Sequence, residues 1–308
     1  MPPLNLSPDA VFRMAQQIRL DVCLMTNLTN SGHPGGPLGM ADYATWLFAN
    51  VMDIDPKIPR KEPRDRFVLS NGHCSAYNYA VLSRRGYFPP KWLLRFRMSG
   101  SPLQGHPNMI YVPGLEASTG SLGQGLSQAN GMALGARLAG QSDVRIYCNC
   151  GDGELQEGNI WEAVMTAAHY KLDNLCLLVD FNNAQIDGRV EDVMGIEPLG
   201  DKFRSFNFHV IETDGHDYAK IQAAYDEAKA TRGKPTVILF RTLMMKGVPP
   251  YEDNFKWHGK PLNDEELAIA MKSLGFSGTK DELVATYEDW PEQPPRPGPI
   301  WAGAGAHH

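Results

Sequence analysis

The sequence predicts an α/β fold in which a mainly parallel sheet is flanked by helices. Beyond residue 120, short apolar runs typical of buried strands alternate with stretches of helical periodicity. The predicted strands span 144–150, 175–181, 208–213 and 236–242, and the predicted helices span 122–139, 157–170 and 217–231. Such alternation indicates right-handed crossovers in a parallel sheet, whose ligands bind beyond the carboxyl ends of the strands. The residues that follow Cys150 and Phe181 are therefore the first candidates for a functional site.

Helices are expected to dominate the first third of the chain. Ser7 and Pro8 are typical of a helix start, and apolar residues then recur at helical spacing up to the break at 30–32. A second helical stretch covers 38–52, and a third begins near Cys74, after a strand-like run over 66–70. We assign residues 1–275 to one domain. We assign 276–308 to a C-terminal helical segment with a Pro- and Gly-rich tail, and set aside the closing His307-His308 pair, which is typical of a tag remnant.

The composition excludes several classes of protein. The chain has 308 residues with 29 Lys+Arg and 35 Asp+Glu, a formal net charge of −6. Its most basic stretch, 57–66, is interrupted by prolines and acidic residues, which argues against a nucleic-acid groove. Residues 1–12 lack the features of a signal peptide, and no window approaches the ~18 apolar residues of a membrane span. Five scattered cysteines favour reduced thiols. We therefore expect a cytoplasmic protein that binds neither nucleic acid nor membrane.

Two polar loops follow neighbouring predicted strands. Residues 151–158, GDGELQEG, come directly after the strand 144–150, and residues 182–188, NNAQIDG, follow the strand 175–181. The carboxylate of Asp152, the carboxamide of Asn182 and a backbone carbonyl would offer hard oxygen ligands to Mg²⁺. Three protein oxygens leave about half of an octahedron for water and phosphate oxygens. The simpler alternative is that Asp-Gly forms an ordinary turn.

Four histidines lie beside glycine or proline at predicted loop corners, namely His33, His73, His106 and His258. Histidine titrates near neutrality, so such residues suit proton transfer at a carbonyl or hydroxyl and can also bind a diphosphate. Taken singly, each is more often a surface or capping residue. No HxxxH or HxH pair is present, so the spacing does not favour zinc.

Residues 118–125, STGSLGQG, end where a helix is predicted to begin. Glycines would let the backbone approach a cofactor closely, and a helix N-terminus presents unpaired N–H groups. Alternatively, the glycines allow tight packing of the Gly- and Ala-rich helix, and the two explanations are compatible.

Together these motifs resemble the N-terminal, diphosphate-binding half of transketolases, especially the split bacterial type made of two polypeptides. The segments SGHPGGPLGM, LSNGH, GHP, STGSLGQGL, GDGELQEG, AAHYKLDNL, QIDG, DGHD and WHGKPL occur in the family's order over roughly residues 10–275. The resemblance implies a thiamine diphosphate-binding fold. It also implies an enzyme that transfers a two-carbon ketol unit from a ketose phosphate to an aldose phosphate.

The resemblance further implies roles for individual residues. Asp152, Asn182 and the carbonyl of Ala184 would hold Mg²⁺ or Ca²⁺, and Gly153, His73 and His258 would contact the diphosphate. Leu122 and Ile186 would pack on the cofactor rings, Gly120 would make room for the aminopyrimidine, and Ser121, Gly151 and Glu154 complete the expected cofactor-binding set. His33, His106 and His258 would line the substrate channel as catalytic residues. Glu157, which we also count among the catalytic residues, would be the family's buried glutamate at a subunit contact.

In the family, the glutamate that activates the aminopyrimidine and most residues that grip the sugar phosphate belong to a following, pyrimidine-binding module. We therefore expect a partner subunit that carries this module, an α2β2 assembly, and no activity of this chain alone. Three alternatives stay open: the alpha subunit of a 2-oxo acid dehydrogenase, deoxyxylulose-phosphate synthase, and a catalytically silent cofactor-binding subunit.

Overall fold

The structure, a computed structural model, describes residues 3–288, so the predicted Pro- and Gly-rich tail lies outside the described residues. The helices are α1 (Pro8–Leu28), α2 (Gly35–Trp46), α3 (Ser75–Arg84), α4 (Gln124–Leu138), α5 (Gly158–His169), α6 (Val190–Met194), α7 (Leu199–Ser205), α8 (Tyr218–Ala230), α9 (Asp264–Ser273) and α10 (Lys280–Glu288). The strands are β1 (Arg66–Leu69), β2 (Ile146–Gly151), β3 (Leu175–Phe181), β4 (Ala184–Gln185), β5 (Gly188–Arg189), β6 (His209–Asp214) and β7 (Thr236–Arg241).

Five strands form one parallel sheet in the order β1-β2-β3-β7-β6, and β4 and β5 form a separate antiparallel hairpin. The predicted α/β class with a mainly parallel sheet is therefore confirmed. Because β2, β3 and β7 are neighbours and parallel, their carboxyl ends lie at the same edge of the sheet. The loops after β2 and β3 are consequently adjacent, as the sequence predicts.

The central strands β2, β3 and β7 are buried on both faces of the sheet. Alternate residues of β3 belong to two hydrophobic clusters, with Cys176 and Leu178 in one and Leu177 and Val179 in the other. The first cluster includes side chains of α1, α2, α3 and α8, and the second includes side chains of α4, α5 and α7. Because helices cover both faces, β3 has a continuous run of mostly apolar residues and not an alternation of apolar and polar ones.

The predicted elements agree with the observed ones to within a few residues, but α6, α7 and α9 have no predicted counterpart. Ser7 caps α1 by accepting a hydrogen bond from Ala10 N at 3.3 Å, as its sequence context predicts. The second helix begins at Gly35, earlier than predicted, and continues beyond Trp46 as a π-helical turn, Leu47–Val51. The sequence does not predict the hairpin β4–β5, because its strands have only two residues each.

Helix α10, the last helix within the described residues, packs on α1. Leu283 and Tyr287 are buried in the same cluster as α1, and the Tyr287 hydroxyl donates a hydrogen bond to Asp21. The division of the chain at residue 275 stays a prediction. Within residues 3–288, no helix has both the length and the apolar character that crossing a bilayer requires. All five cysteines are free and buried.

Candidate functional site

A cavity of about 240 Å³ lies at the carboxyl ends of β2 and β3. Its walls combine acidic, amide, histidine and apolar side chains with glycine backbone. The lining residues are Gly36, Asn71, His73, Cys74, Leu122, Gly151, Asp152, Gly153, Glu154, Gln156, Glu157, Asp180, Asn182, Ala184, Gln185, Ile186 and His258. Most residues proposed from the sequence for cofactor or metal binding therefore meet in one place.

Several other hollows are larger, and the two largest of these have volumes of about 400 Å³ and about 550 Å³. In the first, Arg64 is already paired with Glu116 at 2.7 Å. In the second, Arg145 donates to the Lys229 carbonyl at 2.6 Å. Because these cations are already bound by protein groups, the chemistry of the strand-end cavity makes it the better candidate despite its smaller volume.

Three acidic side chains are buried at the cavity: Asp152, Glu154 and Asp180. Burial, followed by the nearby charge of Asp180, raises the pKa of Asp152 to about 8. Burial raises the pKa of Glu154 to about 7 and that of Asp180 to about 6. Carboxylates that are costly to ionise in isolation are stabilised by a cation beside them, so the raised pKa of Asp152 suits a site that binds a divalent metal ion.

The structure distinguishes between the two adjacent asparagines. Asn182 is buried and lines the cavity, where its Nδ2 donates to Asp180 at 2.9 Å. The Asn183 side chain donates instead to Glu191 at 2.8 Å, away from the cavity lining. Asn183 N–H donates to the Asp152 carboxylate, which ties the two loops together. Asn182 is therefore the asparagine that faces the same space as Asp152 and Ala184.

The oxygen donors at the cavity are of three kinds: the Asp152 carboxylate, the Asn182 carboxamide and the Ala184 carbonyl. Among residues 3–288, no group of three or more His, Cys, Asp or Glu side chains is arranged around a common metal position. A mixed set of hard oxygens is compatible with that observation and suits Mg²⁺ or Ca²⁺, which accept amide and carbonyl ligands.

The four histidines proposed from the sequence converge from four loops. The ring centroids of His33, His73 and His258 lie 5.1–5.7 Å apart. His106 is close to the same region, since a Cβ placed on Gly120 would lie 3.3 Å from its ring. His73 and His258 line the cavity, whereas His33 and His106 lie beside it.

Burial lowers the pKa of each of these histidines. The pKa of His33 falls to about 4 through burial and then through the charge of His258, and that of His73 is held well below its usual value. The pKa values of His106 and His258 are lowered for the same first reason. The rings are therefore neutral near pH 7. The Nδ1 atoms of His33 and His258 are buried without a protein hydrogen-bond partner, which suits a site that receives a polar ligand.

The segment before α4 differs in part from its sequence interpretation. Leu122 lines the cavity as expected. Ser121 and Gly120 are not among the lining residues: Ser121 is exposed, and Gly120 lies next to the His106 ring. The first N–H groups of α4 are not free, because Gly123 N donates to Glu154 at 2.7 Å and Gly125 N donates to Ser70 at 3.1 Å. Glu154 therefore caps this helix within the protein, and the expectation of unpaired N–H groups is wrong at these two positions.

Two residues at the cavity are exposed in the single chain. Ile186 is 64% exposed although it is apolar, and Glu157 is also exposed. Glu157 is expected to be buried at a subunit contact, and that role stays a prediction. An exposed apolar side chain at the mouth of a polar cavity is consistent with a surface that a ligand or partner covers.

Sequence reasoning missed Arg97 and Asp180. Arg97 links two of the histidine loops by donating to Ser31 Oγ at 2.9 Å and to the Gly105 carbonyl at 3.3 Å. Nothing in its local sequence marks it, because both partners come from other loops. Asp180 carried a usable signal: it is an acidic residue inside an otherwise apolar predicted strand, and buried charges of this kind are usually paired or functional.

Comparison with known proteins places this geometry in context. Residues 11–295 match the family described as "Transketolase, thiamine diphosphate binding domain". The chain is 40% identical over 247 residues to the 6-deoxy-6-sulfo-D-fructose transketolase subunit SqwG of Clostridium sp. (strain MSTE9), covering 80% of this chain and 90% of that subunit. It is 36% identical over 275 residues to an apulose-4-phosphate transketolase subunit of Actinobacillus succinogenes, covering 89% of this chain and 99% of that subunit.

Among solved structures, the transketolase of Leishmania mexicana superposes with a TM-score of 0.84 at 36% sequence identity. The match covers 92% of this chain and 44% of that protein, so this chain spans less than half of the solved transketolase.

Proposed function

This chain belongs to the transketolase family, and we propose that it is the diphosphate-binding subunit of a two-chain, thiamine diphosphate-dependent transketolase. In this proposal it transfers a two-carbon ketol unit from a ketose phosphate to an aldose phosphate, together with a separate subunit that carries the pyrimidine-binding module. The observation that carries the proposal is the strand-end cavity, where buried oxygen ligands and neutral histidines meet.

In the proposed complex, Asp152, Asn182 and the Ala184 carbonyl would hold Mg²⁺ or Ca²⁺, whose charge would offset that of the diphosphate. His73, His258 and the backbone of Gly151 and Gly153 would contact the same end of the cofactor. Thiamine diphosphate supplies the carbon nucleophile and the electron sink that carbon–carbon cleavage needs. The fit rests on the donor set and on the buried carboxylates, whose raised pKa values a bound cation would lower.

His33, His106 and His258 would transfer protons to and from the sugar and orient it through hydrogen bonds. Because burial keeps His33 neutral near pH 7, its ring can accept a hydrogen bond or a proton from a sugar hydroxyl and return it later. Burial also lowers the pKa values of His106 and His258, so their rings can accept a hydrogen bond or a proton in the same way. General acid–base catalysis of this kind typically contributes about 10²–10⁴-fold to the rate.

The need for a partner is supported by two observations. The relatives of which this chain covers 90% and 99% are both named as transketolase subunits. At the cavity mouth, Ile186 and Glu157 are exposed, as expected for residues that a second subunit would cover. We propose an α2β2 assembly, and the five free, buried cysteines favour a reducing, cytoplasmic location.

The deciding experiment is co-expression with the candidate partner, followed by a screen of ketose phosphates and aldose phosphates as donors and acceptors. We expect ketol transfer that requires both polypeptides, thiamine diphosphate and a divalent metal. Asp152→Ala in the same complex should abolish metal-dependent cofactor binding, and Asp187→Ala, on the exposed part of the same loop system, serves as the matched control.

Two outcomes would contradict the proposal. Transketolase activity from this chain without a second polypeptide would refute the two-chain assignment. Calorimetry that finds no binding of thiamine diphosphate and Mg²⁺, either to the chain alone or to the complex, would favour a catalytically silent subunit instead.

A further inference from the structure

A second polar cluster lies outside the lining of the strand-end cavity and is centred on His216, in the loop between β6 and α8. Its Nδ1 lies 2.8 Å from the Asp42 carboxylate on α2, and its Nε2 lies 3.0 Å from the backbone nitrogen of Leu243, just after β7. Arg19 and Tyr218 complete the cluster by donating to Asp42 at 2.7 Å and 2.8 Å. The imidazole thus joins α2 to the segment that leads from β7 towards His258.

The contacts determine the tautomer of His216. A backbone N–H can only donate, so Nε2 accepts from Leu243 and carries no proton. Nδ1 is then the protonated nitrogen and donates to Asp42. Burial alone would raise the pKa of Asp42, but the Arg19 guanidinium and His216 hold it well below its usual range, so Asp42 is a permanent acceptor. His216 is consequently held in one orientation from both sides.

The anchored segment reaches the proposed metal site through side-chain hydrogen bonds. Thr242, the residue before Leu243, donates its hydroxyl hydrogen bond to the Asp180 carboxylate. The other oxygen of Asp180 accepts from Asn182 Nδ2 at 2.9 Å, and the Asn182 side-chain oxygen accepts from Ala184 N at 2.9 Å. Thr242 and Asp180 therefore connect the residue beside the imidazole to two of the proposed metal ligands.

Close packing leaves this segment little room to move. A Cβ on Gly215 would lie 2.6 Å from the Thr242 side chain, and a Cβ on Gly39 would lie 3.0 Å from the Leu243 carbonyl oxygen. The same Gly39 position is 3.8 Å from Asp180. Because α2 and the β6–α8 loop both pack closely against residues 242–243, we expect a displacement of His216 to move these residues and, through Thr242, the Asp180 side chain.

We propose that His216 is a positioning residue for the metal end of the cofactor site: it holds Leu243 and Thr242 so that Asp180 orients the Asn182 carboxamide. This role rests on the proposed function, because it assumes that Asn182 binds the metal. His216 itself does not line the cavity, so it acts through these residues and not by contact with a ligand.

The test compares His216→Gln with His216→Asn in the full chain assembled with its partner. A glutamine amide reaches about as far as Nε2 and can still accept from Leu243 N–H, while it loses the contact with Asp42. An asparagine amide reaches about as far as Nδ1, so it keeps the contact with Asp42 and loses Leu243. Each variant loses one hydrogen bond, so we expect similar decreases in melting temperature.

Metal binding should separate the two variants. With saturating thiamine diphosphate, we expect Mg²⁺ to bind roughly five- to tenfold more weakly to His216→Asn, the loss expected for one hydrogen bond, and within about twofold of wild type to His216→Gln. Equal weakening in both variants, or none in His216→Asn, would overturn the positioning role, because a merely structural contribution would follow the melting temperature.

Hydrogen exchange in the unliganded chain keeps this result distinct from the proposed function. We expect faster exchange over 180–184 and 242–245 in His216→Asn than in His216→Gln. A wild-type complex that binds neither Mg²⁺ nor thiamine diphosphate would refute the proposed function. Identical exchange in the two variants would refute the anchoring by His216, whatever the binding result.

Discussion

The replacement Asp152→Asn should stabilise the unliganded chain at neutral pH while removing its metal site. The folded protein raises the pKa of Asp152 from 3.8 to about 8. Above its ordinary pKa this carboxyl is ionised in the unfolded chain but resists ionisation in the folded chain, so native stability falls as pH rises from about 4 to 8. At pH 7, about three pH units above the ordinary pKa, the resulting loss of stability has an upper limit of about 4 kcal/mol.

Part of that gain is lost in the variant. Both Asp152 oxygens accept backbone hydrogen bonds, one from Gly153 N at 2.8 Å and one from Asn183 N. An asparagine has one acceptor oxygen, so one of these N–H groups loses its partner at a cost of about 1–3 kcal/mol. The net expectation is a variant about 1–3 kcal/mol more stable than wild type at pH 7–8 and less stable near pH 4, so that the two stability curves cross.

Urea unfolding at several pH values, with a chelator present, measures this crossing. Asp187→Asn is the matched control, because Asp187 is exposed, and its curve should run parallel to that of wild type. A variant that is less stable than wild type at pH 8, or a difference that does not change with pH, would refute the reasoning. Adding Mg²⁺ and thiamine diphosphate to the partner-bound protein should raise the stability of wild type by mass action and leave the variant unchanged.

Four further predictions concern other parts of the site and fold. His33→Ala should lower kcat by about 10²–10⁴-fold while cofactor affinity stays within about threefold; comparable losses in calorimetry and in turnover would contradict a role in proton transfer. Because the pKa of His33 is lowered to about 4, its protonation favours the unfolded chain, so stability should fall from about pH 6.5 to 4, and less steeply in His33→Asn. Gly72→Ala should lower the free energy of unfolding by about 1–3 kcal/mol, because its Cβ would lie 2.8 Å from Gly120 N. Gly131→Ala in α4 should raise it by about 0.5–1 kcal/mol, because its Cβ would meet nothing within 4 Å. Thermal unfolding of both variants measures the difference, and equal effects would contradict the prediction. Arg189→Met should remove both hydrogen bonds to the Asp253 carboxylate, at 2.8 and 3.0 Å, and so speed proteolysis of the loop around residue 253. The free energy of global unfolding should change by under about 1 kcal/mol. An unchanged cleavage rate would show that this ion pair does not hold the loop.

Local signals explain the part of the fold that the sequence predicts well. Each buried strand is a short apolar run that ends in glycine or a polar residue, as at 144–150 and 175–181, and each helix carries its own periodicity. The expected position of the Asp152 loop beside the Asn182 loop also follows, because parallel neighbours in a sheet end at one edge. These features depend on residues that are close in the chain.

Other features depend on contacts between residues far apart in the chain. The cofactor-binding role of Glu154 stays a prediction, and the sequence does not show its protein contacts. Glu154 accepts hydrogen bonds from Ser70, 84 positions away, and from Gly123, 31 positions away, at the start of α4. Arg97 joins the His33 and His106 loops through Ser31, 66 positions away.

The sequence by itself determined the α/β class, the strand-end loops and the residue types of the site, because periodicity and turn chemistry are local properties. The tertiary structure alone decided that Arg97 links the His33 and His106 loops, that Glu154 accepts a hydrogen bond at the start of α4, and that His216 contacts Leu243, the neighbour of Thr242. The physical reason is burial: pKa shifts, close packing and hydrogen-bond partners arise only when distant segments exclude water from each other.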